Sequence, residues 1–102
     1  MPERYQNNSQ QRILRVLMCL FGHEVSGLAP GELAKLADIS PQDATRDLAN
    51  LRIAGLAEQM PESGRWRLTP RLPQKALAML NAINRAAAKI EETQQRYTRN
   101  PY

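Results

Sequence analysis

Between Glu32 and Leu68 the chain sets two short helical patterns, a turn signal, a glycine stop and an alternating basic hairpin within forty residues, ELAKLADISPQDATRDLANLRIAGLAEQMPESGRWRL. Few folds accommodate that order. Pro30 suits the first turn of a helix, where a missing amide hydrogen costs nothing, and Leu33, Leu36 and Ala37 mark one buried face as far as Asp38. Asp38, Ile39 and Ser40 then break the pattern. Ser40 reads as an N-cap, Pro41 as the first helical residue, and Asp43 lies in the first turn, where the helix dipole favours an acid. Ala44, Leu48 and Leu51 fall at i, i+4 and i+7 and face a core, and Gly55 stands where a helix end needs a left-handed backbone. Leu56 to Met60 predicts a strand, Pro61 to Gly64 a turn, and Arg65 to Leu68 a second strand of period two. The expected fold is mainly α with a small β-hairpin: a winged helix-turn-helix, followed by a long C-terminal helix.

The rest of the chain is consistent with that frame. Residues 1–8 are polar and unpatterned and predict a loose arm. Ser9 reads as the N-cap of a first helix with Ile13, Val16, Leu17, Leu20 and Phe21 at helical spacing and Gly22 as its stop. In the segment that follows, Leu28 and Ala29 predict one short strand against the hairpin. Pro70 and Pro73 bracket a kinked connection. From Gln74 to about Tyr97 there is neither Gly nor Pro, and at ~1.5 Å per residue such a helix spans roughly 36 Å, so that part of it is expected to project. The expected divisions are an arm at 1–8, the winged helix-turn-helix at 9–70, the C-terminal helix at 71–98 and a tail at 99–102.

A length of 102 residues with 42% hydrophobic content suffices for one small core. The single cysteine, Cys19, excludes an internal disulfide and reads as a reduced core residue. The apolar run from Ile13 to Phe21 is too short for a bilayer and lacks a cleavage context, so a cytoplasmic protein with no membrane partner is expected. With one histidine, no glycine-rich phosphate loop and no nucleophile paired with a second histidine, neither an enzyme nor a metal or other cofactor is expected. The net charge of +4 is modest evidence for a polyanionic partner. Its distribution says more: from Ser63 to Ile90 there are six cations, Arg65, Arg67, Arg71, Lys75, Arg85 and Lys89, and no acid.

These features point to double-stranded DNA. On the second helix of the pair the core-facing residues leave Gln42, Asp43, Thr45, Arg46, Ala49 and Asn50 outward. Arg46 can bond the O6 and N7 of guanine, Asn50 or Gln42 an adenine edge, and Thr45 a thymine methyl or a phosphate. The competing reading pairs Arg46 with Asp43, Asp47 or Asn50 along the helix. Asp43 and Asp47 repel phosphate, and so either read cytosine amino groups, orient Arg46, or keep this helix out of the groove. Strand alternation sets Arg65 and Arg67 on one face, as phosphate contacts joined by Arg71, and turns Trp66 and Leu68 the other way, under the wing. In the last helix Ala76, Leu80, Ile83, Ala87 and Ile90 recur in alternating steps of four and three, with Tyr97 seven residues on and Gln94 breaking the apolar run between; this is the seam of a coiled coil and predicts a homodimer. The alternative lays the helix back on its own domain, burying Leu77, Leu80 and Ile83; the expectation combines them, the N-terminal half packed at home and the rest meeting a partner.

From Gln11 to about Leu72 the chain resembles the DNA-binding domain of the isocitrate lyase regulator (IclR) family of bacterial transcription regulators. The resemblance rests on RILRVLMCLFG, on GLAPGELAKLADISPQDATRDLANLRIAGLAEQ and on ESGRWRLTPRL. Gly64, Arg65, Trp66, Arg67 and Leu68 match the family's wing of glycine, any residue, aromatic, any residue, leucine, and Arg46 stands where an arginine precedes two apolar residues. The resemblance implies DNA contacts from Gln42, Thr45 and Arg46. Asp47 replaces an apolar residue and Ala29 a hydroxyl cap, and the effector-binding domain has no counterpart here, so no small-molecule effector is expected. A small transcriptional repressor acting as a homodimer is the leading expectation. A winged-helix adaptor that docks on a protein through the mixed charges of the second helix and the long last helix is the alternative.

Overall fold

A computed structural model describes residues 2–99; Met1 of the expected arm and residues 100–102 of the expected tail lie outside the described residues. Among the described residues there are four α-helices and a two-stranded antiparallel hairpin: α1 (Asn8–Leu20), α2 (Pro30–Ala37), α3 (Pro41–Ile53), β1 (Ala57–Gln59), β2 (Trp66–Leu68) and α4 (Arg71–Thr98). It divides into two compact units, Met1–Arg71 and Leu72–Tyr102.

In the first unit α1, α2 and α3 pack on one another and the hairpin closes against α1 and α3. Val16 and Leu20 of α1, Leu33, Ala34 and Ala37 of α2, and Ala44, Leu48 and Leu51 of α3 make the core, joined by Ala57, Trp66 and Leu68 of the hairpin. The core therefore draws on every element that flanks α3, fixing how its outer face is presented. Several faces differ from expectation. Leu36 and Phe21 are exposed and Cys19 is only half-buried. Helix α2 turns Leu33 inward together with Ala34 and Ala37, and the turn of about 100° per residue then carries Leu36 outward. The apolar run in α1 is wider than one face can bury, so Leu14 and Met18 lie outward, with Cys19 at the margin.

Local chemistry sets the boundaries. Helix α1 begins two residues earlier than its serine suggests: Asn7 is the cap, its side chain accepting from the Gln10 N–H at 3.0 Å. Pro2–Tyr5, expected to be loose, form a 3₁₀ turn. Between α2 and α3, Asp38 takes a left-handed conformation (φ 55°) and the Ile39 N–H donates to the Ala34 carbonyl at 3.0 Å, which turns the chain within three residues. Ser40 then accepts from the Asp43 N–H at 3.1 Å, with Pro41 first in the helix, as the sequence indicated. Gly55, at φ 79°, closes α3 through Gly55 N–H to Arg52 O and Leu56 N–H to Leu51 O.

The wing is a three-layered seam rather than a free hairpin. β1 pairs with β2 in the register Ala57 to Leu68, Glu58 to Arg67 and Gln59 to Trp66. On its other edge β2 bonds Leu28, which exchanges both N–H···O bonds with Trp66 at 2.8 Å and so realises the expected extra strand as one bridge. Gly27 makes that approach possible: a Cβ there would lie 2.8 Å from Met60 Sδ and 3.0 Å from the Trp66 carbonyl oxygen. Arg65 secures the same corner. It donates to the Ser26 carbonyl (Nε, 2.9 Å) and the Gly27 carbonyl (Nη2, 3.1 Å), and Nη2 lies 2.7 Å from Glu32 Oε1. That same Glu32 oxygen accepts the Ala29 N–H at 2.9 Å, so the carboxylate caps α2 where Ala29 has no hydroxyl to offer. The Ala29 amide, followed by Arg65, holds the Glu32 carboxyl below its ordinary value of 4.5.

Helix α4 begins at Arg71, the last residue of the first unit, rather than at Gln74, and the second unit takes it up from Leu72. Pro73 is not a break; it occupies the first turn, where backbone N–H groups have no intrahelical partner. None of its described residues is buried. Leu77, Leu80 and Ile83, expected to be packed at home, are all more than half exposed. Of the two prolines that suggest a kink, Pro70 immediately precedes the helix and Pro73 lies within its first turn.

Two outcomes follow for folding. Asp38→Val, which puts a β-branched side chain in the left-handed turn, lowers the unfolding free energy by about 1–2 kcal/mol, whereas Asp38→Gly does not, as measured by urea denaturation. Because the Glu32 carboxyl is depressed, its contribution to stability is present above pH 4.5 and is lost as the pH falls through the lower, folded value. Glu32→Gln therefore flattens the thermal midpoint against pH below 4.5 relative to the wild type.

Candidate nucleic-acid interface

Helix α3 has two unlike sides. Ala44, Asp47, Leu48 and Leu51 are buried, whereas Gln42, Thr45, Arg46 and Asn50 are exposed together on the opposite side. This places all four predicted reading residues on one surface. Arg46 extends furthest into solvent, with 74% of its side chain accessible. The Thr45 hydroxyl donates to the Pro41 carbonyl at 3.0 Å, so its proton is used within the helix while the residue stays exposed. Asn50 Nδ2 donates to the Arg46 carbonyl at 2.9 Å, leaving its oxygen as the outward acceptor.

The two carboxylates that counted against this helix behave differently from each other. Asp47 is 3% exposed and its charge is held inside the domain: Arg12 of α1 donates through Nε to Oδ2 at 2.8 Å and through Nη2 to Oδ1 at 2.9 Å. Such a fork satisfies both carboxylate oxygens with matched geometry. The hydrogen bond to Asp47 also holds the Arg12 guanidinium above its ordinary value. Asp47 thus neither reads a base nor pairs with Arg46. Asp43 remains near the surface, its Oδ1 shared between Arg12 Nη1 at 3.6 Å and Arg46 Nη1 at 3.9 Å. Among the described residues, no buried side-chain nitrogen or oxygen lacks a hydrogen-bond partner.

Arg12 is the residue the sequence reading overlooked. Its signal was Asp47 itself, which falls three residues after Ala44 and one before Leu48, on the face that must be apolar. A carboxylate on such a face requires a cation from a neighbouring helix. The partner could be named only once α1 was known to cross α3 near its own N-terminal half, because thirty-five positions separate the pair.

The wing cations are less free than their sequence suggests. Arg65 is engaged with Glu32, Ser26 and Gly27 as described, and Arg67 Nε donates to Glu58 Oε2 across the strands at 2.8 Å. Arg71 Nη1 donates to the Ala54 carbonyl at 3.0 Å, covering an open acceptor at the end of α3 while the side chain stays exposed. Trp66 is buried, with the Arg52 guanidinium 5.7 Å from its ring centroid, so the aromatic faces the core and not a ligand. On α4 the predicted seam residues Leu80, Ile83, Ala87, Ile90 and Tyr97 are all exposed. No group of three or more His, Cys, Asp or Glu among the described residues is placed to hold a metal ion. Among the same residues no helix is long and apolar enough to cross a membrane.

No protein-family model matches the chain, and no curated protein does. Among solved structures it is similar to that of a MarR family transcriptional regulator from Silicibacter pomeroyi DSS, with a TM-score of 0.54 and 23% identity. The match covers 89% of this chain and 59% of that one, so this chain spans under two thirds of its neighbour's length. Four helices and a two-stranded antiparallel hairpin, in the order found here, are a winged-helix fold resembling that of a transcriptional regulator.

Proposed function

We propose that this chain is a sequence-selective double-stranded DNA-binding regulator of transcription, acting from the cytoplasm as a small repressor and homodimer. The observation that carries the reading is the division of α3: Gln42, Thr45, Arg46 and Asn50 share the outer surface while Arg12 takes the charge of Asp47 within. What remains outside is a single strong donor with polar neighbours, the set that reads base edges in a major groove. The neighbour's description as a transcriptional regulator supports the same direction. In this reading α3 contacts bases through Arg46, Gln42, Asn50 and the Thr45 methyl. Arg67 and Arg71 meet phosphates with the guanidinium N–H groups not used within the domain, and Arg65 contributes chiefly by fixing the wing. The Gly64 to Leu68 wing supports an IclR-type origin for this module. No small-molecule effector, metal or other cofactor is part of the proposal.

Dimerisation is assigned to α4. Leu80, Ile83, Ile90 and Tyr97 are between 53% and 80% exposed along one 28-residue helix, at steps suited to a helical seam. A dimer doubles the basic surface and offers two reading helices to a two-fold site.

The adaptor reading keeps one observation in its favour. Residues 1–71 hold nine Lys and Arg against eight Asp and Glu, so the winged-helix unit itself is almost neutral and the excess positive charge belongs to residues 72–102. A protein-docking module needs no more than that.

Binding to a duplex pool decides between the two. The DNA reading expects salt-dependent binding and enrichment of one motif; an adaptor yields neither. Arg46→Ala reduces the preference for the enriched site over random duplex by about tenfold. Arg67→Ala instead weakens both equally and lowers the salt slope by about one unit. Ile83→Glu with Ile90→Glu converts the dimer to monomer in sedimentation equilibrium and leaves the thermal midpoint of the winged-helix unit in place.

A further inference from the structure

Asp47, Arg12, Asp43 and Arg46 form an alternating row of charges that begins in the core and ends in solvent. Arg12 grips both oxygens of Asp47 at 2.8 and 2.9 Å, and its remaining terminal nitrogen, Nη1, reaches Asp43 Oδ1 at 3.6 Å. Arg46 approaches the same Asp43 oxygen, but only to 3.9 Å, and keeps 74% of its side chain exposed. The three charged residues in the first half of α3 carry a net negative charge on their own, and Arg12 brings the row to neutrality.

We infer that Arg12, although outside the reading surface, is the positioning residue that makes Arg46 available to DNA; the inference rests on the DNA reading proposed above. A carboxylate three residues before an arginine on a helix is within pairing distance of it. Were Arg46 its only cation, Asp43 would draw the guanidinium down along the helix and cancel the positive charge that the phosphates would otherwise meet. Arg12 divides the attraction of that oxygen. Arg46 is then steered by a weak, long contact instead of being captured by a short one, and its fork stays open for a bidentate acceptor such as the O6 and N7 edge of guanine. Arg12 touches no DNA in this arrangement. It acts through Asp43, and its position on α1 ties the reading surface to the packing of the core.

The test separates this role from simple support of the fold. Arg12→Gln combined with Asp47→Asn replaces the buried ion pair by a neutral hydrogen-bonded pair and strands Asp43 with Arg46. Binding is measured by fluorescence anisotropy, using a duplex selected by the wild type and a random duplex of equal length. Exchange of the Arg46 Nε–H is followed in parallel by ¹⁵N NMR on the protein alone. The double variant loses about tenfold in discrimination, falling to the level of Arg46→Ala, and its Arg46 Nε–H exchanges more slowly. Adding Asp43→Asn restores discrimination to within about twofold of the wild type and returns the exchange rate. A folded double variant with unchanged discrimination and unchanged exchange overturns the inference, as does a loss that Asp43→Asn does not rescue. If the double variant does not fold, Arg12→Lys keeps a cation against Asp47 without a second nitrogen for Asp43, and the same loss and rescue are required of it. Failure of the wild type to bind any duplex overturns the DNA reading and this inference with it. Wild-type discrimination that Arg12 substitutions leave intact overturns the inference alone.

Discussion

A carboxylate enters an apolar core only with its charge answered, and the placement of Asp47 makes that requirement the organising constraint of the winged-helix unit. The cation comes from α1, so α1 and α3 are held by a directional, two-pronged contact in addition to apolar packing. Leu48 and Val16 would pack in several rotations of one helix on another; the fork between Arg12 and Asp47 accepts one. Fixing that rotation decides which residues of α3 point outward. The outward set, Gln42, Thr45, Arg46 and Asn50, lies opposite a face on which apolar packing and this ion pair agree.

The second corner of the domain is built by the same means at the wing. Glu32 gives one oxygen to the Ala29 amide and to Arg65, and Arg65 reaches on to the carbonyls of Ser26 and Gly27. Helix start, bridging strand and wing therefore share one charged node. Buried apolar area drives the collapse, while these nodes specify the angles at which α2, α3 and the hairpin meet.

Much of the architecture could be read from the chain because it depends on near neighbours. Ser40 with Pro41, Gly55 after Ile53, and the period-two run of Arg65 to Leu68 act within a few positions, and each sits where its chemistry indicates. Misreadings arose where a longer-range partner or a second good local choice existed. Asn7 displaced Ser9 because both side chains can cap and they stand only two positions apart. Pro70 and Pro73 suggest a kinked connection ahead of Gln74, but Pro73 falls inside the first turn of α4, the place where a helix tolerates proline. The outer surface of α3 was legible from Ala44, Leu48 and Leu51, but its electrostatic character was not: Asp43 and Asp47 are alike in sequence and differ only in what α1 brings to them. Arg65 and Arg67 looked equivalent by alternation, yet one clasps the α2 start and the other crosses to Glu58, a difference set by the fold of Ser26 to Glu32.

The bridge between Leu28 and Trp66 bears on whether a foreign strand can extend this sheet. With β1 on one side and Leu28 on the other, Trp66 has no backbone group left to offer a foreign strand. The outer edge of β1 is the remaining template for sheet extension. It is three residues long and carries Glu58, a length and charge that discourage end-to-end growth of sheets. Strand addition is thereby disfavoured in this unit at both edges of the hairpin: one is already paired, and the other is short and charged.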